Sequence, residues 1–103
     1  MEVRVWLGYD LGENGDYAGL YAWLCRHSAV ECGCNLASLL VDCSSRKTVE
    51  DDVIAELRKN VHLKESDRIY LLYRREDNMT KGLFLYGNRK ESPWKGKINQ
   101  TEK

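Results

Sequence analysis

The chain is poor in the residues that usually give away an enzyme or a secreted scaffold. Two histidines and one proline occur in 103 residues, and neither His27 nor His62 can be grouped by sequence with a serine or cysteine into a nucleophile and its base. No apolar run approaches the roughly 20 residues that a membrane-spanning helix needs. Met1 leads directly into Glu2 and Arg4 within a strand-like pattern rather than into a secretion signal. These absences point to a cytoplasmic chain without membrane association.

Two motif classes are also missing. Glycines at 8, 12 and 15 in "GYDLGENGD" lie between a strand and a helix, but their spacing fits neither the dinucleotide fingerprint nor the Walker loop, and no lysine follows. Asp16 at the helix start would repel a phosphate placed there. Of the four cysteines, only Cys32 and Cys34 are close, with a single residue between them, which is not the paired spacing of a structural zinc site. Reduced, partly buried thiols are the expectation.

What is present suffices for one packed core: 43% of the residues are hydrophobic and 31% charged, in a chain too short for two ordinary domains. Residues 1–91 read as a single domain and 92–103 as a tail. The formal net charge is zero, yet residues 1–52 carry four Lys/Arg against nine Asp/Glu, and residues 53–103 twelve against seven. Such a split suits an acidic and a basic surface on one fold.

Periodicity supplies the elements. Val3, Val5, Leu7 and Tyr9 fall on one side of an extended segment, and Arg4, Trp6 and Gly8 on the other. Tyr17, Leu20, Tyr21 and Leu24 recur at helical spacing behind Asp16, a capping residue. "NLASLLVDC" reads as a strand, and Val49, Val53, Ile54, Leu57 and Val61 as a helix whose first turn holds Glu50, Asp51 and Asp52. "DRIYLLYRR" and "GLFLYG", separated by the polar "EDNMTKG", read as the last two strands. The expected class is α+β, a ferredoxin-like βαββαβ fold with a four-stranded antiparallel sheet and two helices on one face.

In that arrangement the other face of the sheet is solvated, occupied by a ligand or buried in a dimer. Trp6 faces it if Val3, Val5 and Leu7 face the helices, and the last strand must send either Phe84 and Tyr86 or Leu83 and Leu85 to the same side. Base stacking on such a platform is one use; packing in a homodimer is another.

The first strand ends in Tyr9 and Asp10, the "YD" of "VWLGYDLGEN". Either Asp10 opens a turn, or it sits at the sheet edge where a symmetric copy brings a second carboxylate close enough to hold a divalent metal. With the βαββαβ order, Tyr9 and Asp10 make the chain similar to the small ferredoxin-fold protein of the CRISPR adaptation complex and its toxin-like relatives. That resemblance implies a homodimer with Asp10 as the metal-associated catalytic carboxylate, and Mg2+ as cofactor if the protein is a nuclease. The arginine-rich helix start of that family is replaced here by "ENGDYAG".

Basic residues suited to a nucleic-acid backbone come late: Arg74 and Arg75 end a strand, and Arg89, Lys90, Lys95 and Lys97 accompany Trp94 in "YGNRKESPWKGK". The expectation is a homodimer that associates with DNA or RNA through these residues. The alternative is a noncatalytic module that binds a protein partner through its open face, an exposed edge or Trp94.

Overall fold

A computed structural model describes residues 1–95. It has the element order β1 (Glu2–Asp10), α1 (Tyr17–Arg26), β2 (Val30–Gly33), β3 (Leu36–Asp42), α2 (Val49–Asn60), β4 (Arg68–Arg74) and β5 (Thr80–Tyr86), with a single 3-10 turn at Arg46–Thr48 before α2. The five strands form one sheet in the order β2-β3-β1-β4-β5, and every neighbouring pair is antiparallel.

The class is α+β, but the four-stranded ferredoxin-like βαββαβ arrangement is not what this chain forms: the sheet has five strands. The strand without a sequence signal is β2. All four of its residues, Val30 to Gly33, are exposed, so "VECG" has no inward face to impose an alternating pattern. It is held by pairing with β3 across a turn in which Asn35 takes a φ of 57°. At the opposite edge β5 folds back on β4 and becomes the fifth strand.

Alternation decides the core. Val3, Val5, Leu7 and Tyr9 from β1 meet Ala37, Leu39 and Val41 from β3 and Ile69, Leu71 and Tyr73 from β4 on one buried side. Leu20, Trp23 and Leu24 of α1 and Val49, Val53 and Leu57 of α2 cover that side. Both helices therefore pack on one face, and among the described residues no helix or strand layers the other.

The ends of the helices are fixed by their own polar residues. Asp16 accepts from Gly19 N at 2.9 Å and from His62 N at 2.8 Å, so it caps α1 and ties it to the chain leaving α2. These donors hold its carboxyl below the ordinary range. Asp52 is lowered likewise by the Thr48 hydroxyl and Ser44 N.

Among the described residues, no helix is long and apolar enough to cross a membrane. Cys43 is buried, and burial pushes its thiol up. Cys25, Cys32 and Cys34 are exposed rather than partly buried, and all four are free.

Candidate nucleic-acid interface

The uncovered face is built from the residues that alternate with the core. Strand register sets them in rows: Trp6 lies between Ser38 and Leu72, with Gly82 beyond Leu72. In the next row Gly8 lies between Leu36 and Tyr70, with Phe84 beyond Tyr70. The Tyr70 and Phe84 rings are 5.0 Å apart and tilted by 58°. A Cβ on Gly8 would come within 3.2 Å of the Tyr70 ring, so the missing side chain is what lets that ring lie across β1. Trp6, Leu72 and Phe84 keep 38%, 42% and 41% of their surface exposed, which makes the centre of the sheet an apolar platform open to solvent.

Phe84 and Tyr86 do not share this face. The β4–β5 register slips between Ile69 and Tyr70, so that Tyr70 opposes Phe84 while Ile69 opposes Tyr86. The irregularity turns Tyr86 to the helix side, where it packs against the core with the Arg58 guanidinium 5.7 Å from its ring centroid.

Beyond β5, Gly87 adopts a φ of 67°, and a Cβ there would fall 2.3 Å from the Asp67 carbonyl. Only glycine fits so close a crossing. Arg89 to Lys95 then wall a hollow of about 440 Å³ together with Tyr70 and Phe84. This brings Arg89, Lys90, Trp94 and Lys95 beside the aromatic platform, with Trp94 59% exposed.

At the other end of the platform Arg74 joins Arg4, Trp6, Arg46 and Thr80 around a second hollow. Arg75 is not part of this face: it pairs with Asp77 at 2.5 Å, which raises its pKa further, and lines a separate hollow with Lys47 and Tyr73. Lys97 lies outside the described residues.

Asp10 is not at a sheet edge. It ends β1, the central strand, opposite Arg68, whose guanidinium is 3.4 Å from its Oδ2. A cation is therefore already beside the carboxylate. Among the described residues no three His, Cys, Asp or Glu side chains stand together as a metal-holding group. The donor set around Asp10 in one chain does not fit a divalent metal, and no hydrolytic step is derived through one. Asp42, the other strand-end carboxylate, binds the N-terminal ammonium at 3.0 Å.

His27 acquires partners that its sequence neighbourhood does not contain. Its Nε2 is 2.5 Å from Glu56 Oε1 and its Nδ1 3.1 Å from the Leu40 carbonyl; Trp23 Nε1 donates to the same Glu56 oxygen at 2.8 Å. With both ring nitrogens engaged, the cluster ties α1, α2 and β3 together and leaves no ring nitrogen for a substrate.

Sequence reasoning put Arg4 on the same side of its strand as Trp6 but counted none of Arg4, Arg46 and Tyr70 among the binding residues. Arg4 and Tyr70 were findable, because each alternates with core residues along its own strand. Arg46 carried no such signal, since the fold alone brings the turn before α2 against β4, where its Nη1 donates to the Arg74 carbonyl at 2.8 Å.

No protein family, curated protein or solved structure matches the chain.

Proposed function

We propose that this protein binds single-stranded nucleic acid across the uncovered face of its sheet. The observation that carries the reading is a platform of rings, the exposed Trp6 and Phe84 with the half-buried Tyr70 between β1 and β5, bracketed by Arg4 and Arg74 at one end and by Arg89, Lys90 and Lys95 at the other. Among the described residues none of these five cations is in an ion pair. Unpaired cations beside accessible rings match a ligand with a charged backbone and flat bases. A single strand fits better than a duplex, because only unstacked bases offer their faces to a ring. In this reading Asp10 is a structural partner of Arg68, and binding needs no metal.

Titration of labelled single- and double-stranded DNA and RNA at about 50 and 200 mM salt tests it. Single strands bind more tightly than duplexes, and log affinity falls with log salt by about 0.7 for each phosphate neutralised. Phe84→Ala weakens binding by about 1–3 kcal/mol, the loss of one stacked base. Arg89→Gln with Lys90→Gln makes the salt slope shallower by about 1.4. Absence of binding at low salt overturns the proposal.

One observation favours a second reading, a protein-interaction module or homodimer. Leu40 and Leu72 on the same face, and Val30 on the β2 edge, are exposed apolar side chains that a protein surface would cover. Association of that kind depends on Leu72 and Trp6 and is insensitive to loss of Arg89 and Lys90.

A further inference from the structure

Arg4, Arg46 and Arg74 reach one hollow of about 370 Å³, beside the Trp6 ring and the Thr80 hydroxyl, from three different elements. Two of them are positioned by neutral acceptors: Arg4 Nη1 donates to Ser38 Oγ at 3.2 Å and Arg46 Nη1 to the Arg74 carbonyl at 2.8 Å. Neither bond neutralises a charge. Among the described residues no carboxylate pairs with any of the three, whereas Arg68 and Arg75 are matched by Asp10 and Asp77. The acids at this end of the sheet are Glu2, Asp42 opposite it in register, which already binds the N-terminal ammonium, and Glu76 and Asp77 of the β4–β5 turn, which line the neighbouring hollow that Arg46 also reaches, with Asp77 paired to Arg75.

Three like charges lining one hollow repel one another unless an anion joins them. An internal phosphodiester carries a single charge and has two free oxygens. A phosphate monoester carries about −1.5 to −2 at pH 7 and presents three acceptor oxygens, which suits three guanidiniums and a hydroxyl. Trp6 supplies a ring beside that charge for the attached base.

We infer that this hollow is a phosphate-monoester subsite that takes a nucleotide's terminal phosphate with its base against Trp6. The inference rests on the open face being the nucleic-acid surface. The monoester has two sources, the phosphorylated end of a single strand and a free nucleoside monophosphate.

The experiment is an anisotropy titration of the full chain with one labelled single-stranded sequence in three forms, 5′-phosphorylated, 3′-phosphorylated and hydroxyl-ended, with a nucleoside monophosphate as competitor. At least one phosphorylated form binds about tenfold or more tightly than the hydroxyl-ended form. Lowering the pH from 7.5 to 5.5, across the monoester's second pKa of about 6, reduces that preference. Arg46→Gln brings the ratio close to one and changes binding of the hydroxyl-ended strand less than twofold, whereas Arg4→Gln lowers the ratio and also weakens the hydroxyl-ended strand, with an unchanged circular dichroism spectrum as the fold control for both. The monophosphate displaces the phosphorylated strand from the native protein. Equal affinity for all three strands, with binding intact, overturns the subsite and leaves the open-face reading standing. Binding of the monophosphate alone, lost in Arg46→Gln, keeps the subsite as a free-nucleotide site and overturns the single-strand reading. Binding of neither overturns both.

Discussion

Asp67 is the charged side chain that the fold buries completely among the described residues. Its Oδ1 accepts from Gly12 N and its Oδ2 from Lys64 N, each at 2.7 Å, so one carboxylate pins the loop after β1 to the loop before β4. Asp67→Ala strands both amides, and the expected loss is about 3 kcal/mol, read as a lower urea midpoint with an unchanged slope. A second polar knot joins Glu50 to Tyr73 and Lys81, whose donor atoms lie 2.6 Å and 2.7 Å from its Oε2. Lys81 first and Tyr73 second hold the Glu50 carboxyl below its ordinary value, while burial first and Glu50 second push Tyr73 up to about 12. Because Glu50 is lowered on folding, its contribution is complete above the ordinary carboxylate range and is lost as pH falls through the folded value. Tyr73, raised on folding, contributes below pH 10 and loses that contribution as pH climbs to about 12. Lys81→Met should therefore lower the thermal midpoint at pH 7 and make its decline towards about pH 3 shallower than in the native chain. Asp16 was legible as a cap because its donor at Gly19 is three residues away; the role of Asp67 was not, because Gly12 lies 55 residues from it.

At the scale of elements, α1 ends in a turn whose chemistry favours a different residue. Ala29 N donates to the Leu24 carbonyl and Ser28 N to the Cys25 carbonyl, both at 3.0 Å, while Ser28 takes a φ of 51°. This is the six-to-one and five-to-two closure that usually employs glycine. Ser28→Gly should stabilise the chain by about 1 kcal/mol and raise the melting temperature by roughly 4–8 °C. Both helices were legible in the sequence, since each buries a stripe at three-four spacing behind acidic or capping residues. The strands Leu36–Asp42 and Arg68–Arg74 were legible too, because each sends alternate residues into the core. The strand Val30–Gly33 was not, as it buries nothing. The slip between Ile69 and Tyr70 was also invisible, because a register shift is a property of two strands together. Its consequence is large: it leaves Phe84 on the open face and withdraws Tyr86 from it.

For the whole molecule, the charge split between the two halves of the sequence does not become two separate faces. Arg4 and Arg46, from the acidic half, join Arg74 from the basic half in one hollow, because β1 lies beside β4 in the sheet. Linear charge counts therefore pointed to Arg74 and the tail and missed Arg4 and Arg46. The two hollows lie towards opposite ends of the same uncovered platform, with Trp6 lining one and Tyr70 and Phe84 the other. The three tryptophans sample this geometry independently: Trp6 lies on the open face, Trp94 in the segment beside it, and Trp23 beneath the helices with its indole N–H donated to Glu56. Heteronuclear NMR of the labelled protein during titration with a single-stranded oligonucleotide reads all three at once. Binding on the open face predicts that the indole resonances of Trp6 and Trp94 shift together with the amides of Arg4, Tyr70, Arg74 and Phe84, while the Trp23 indole stays in place. Shifts confined to the helix side or to the β2 edge, or no shifts at low salt, would contradict it.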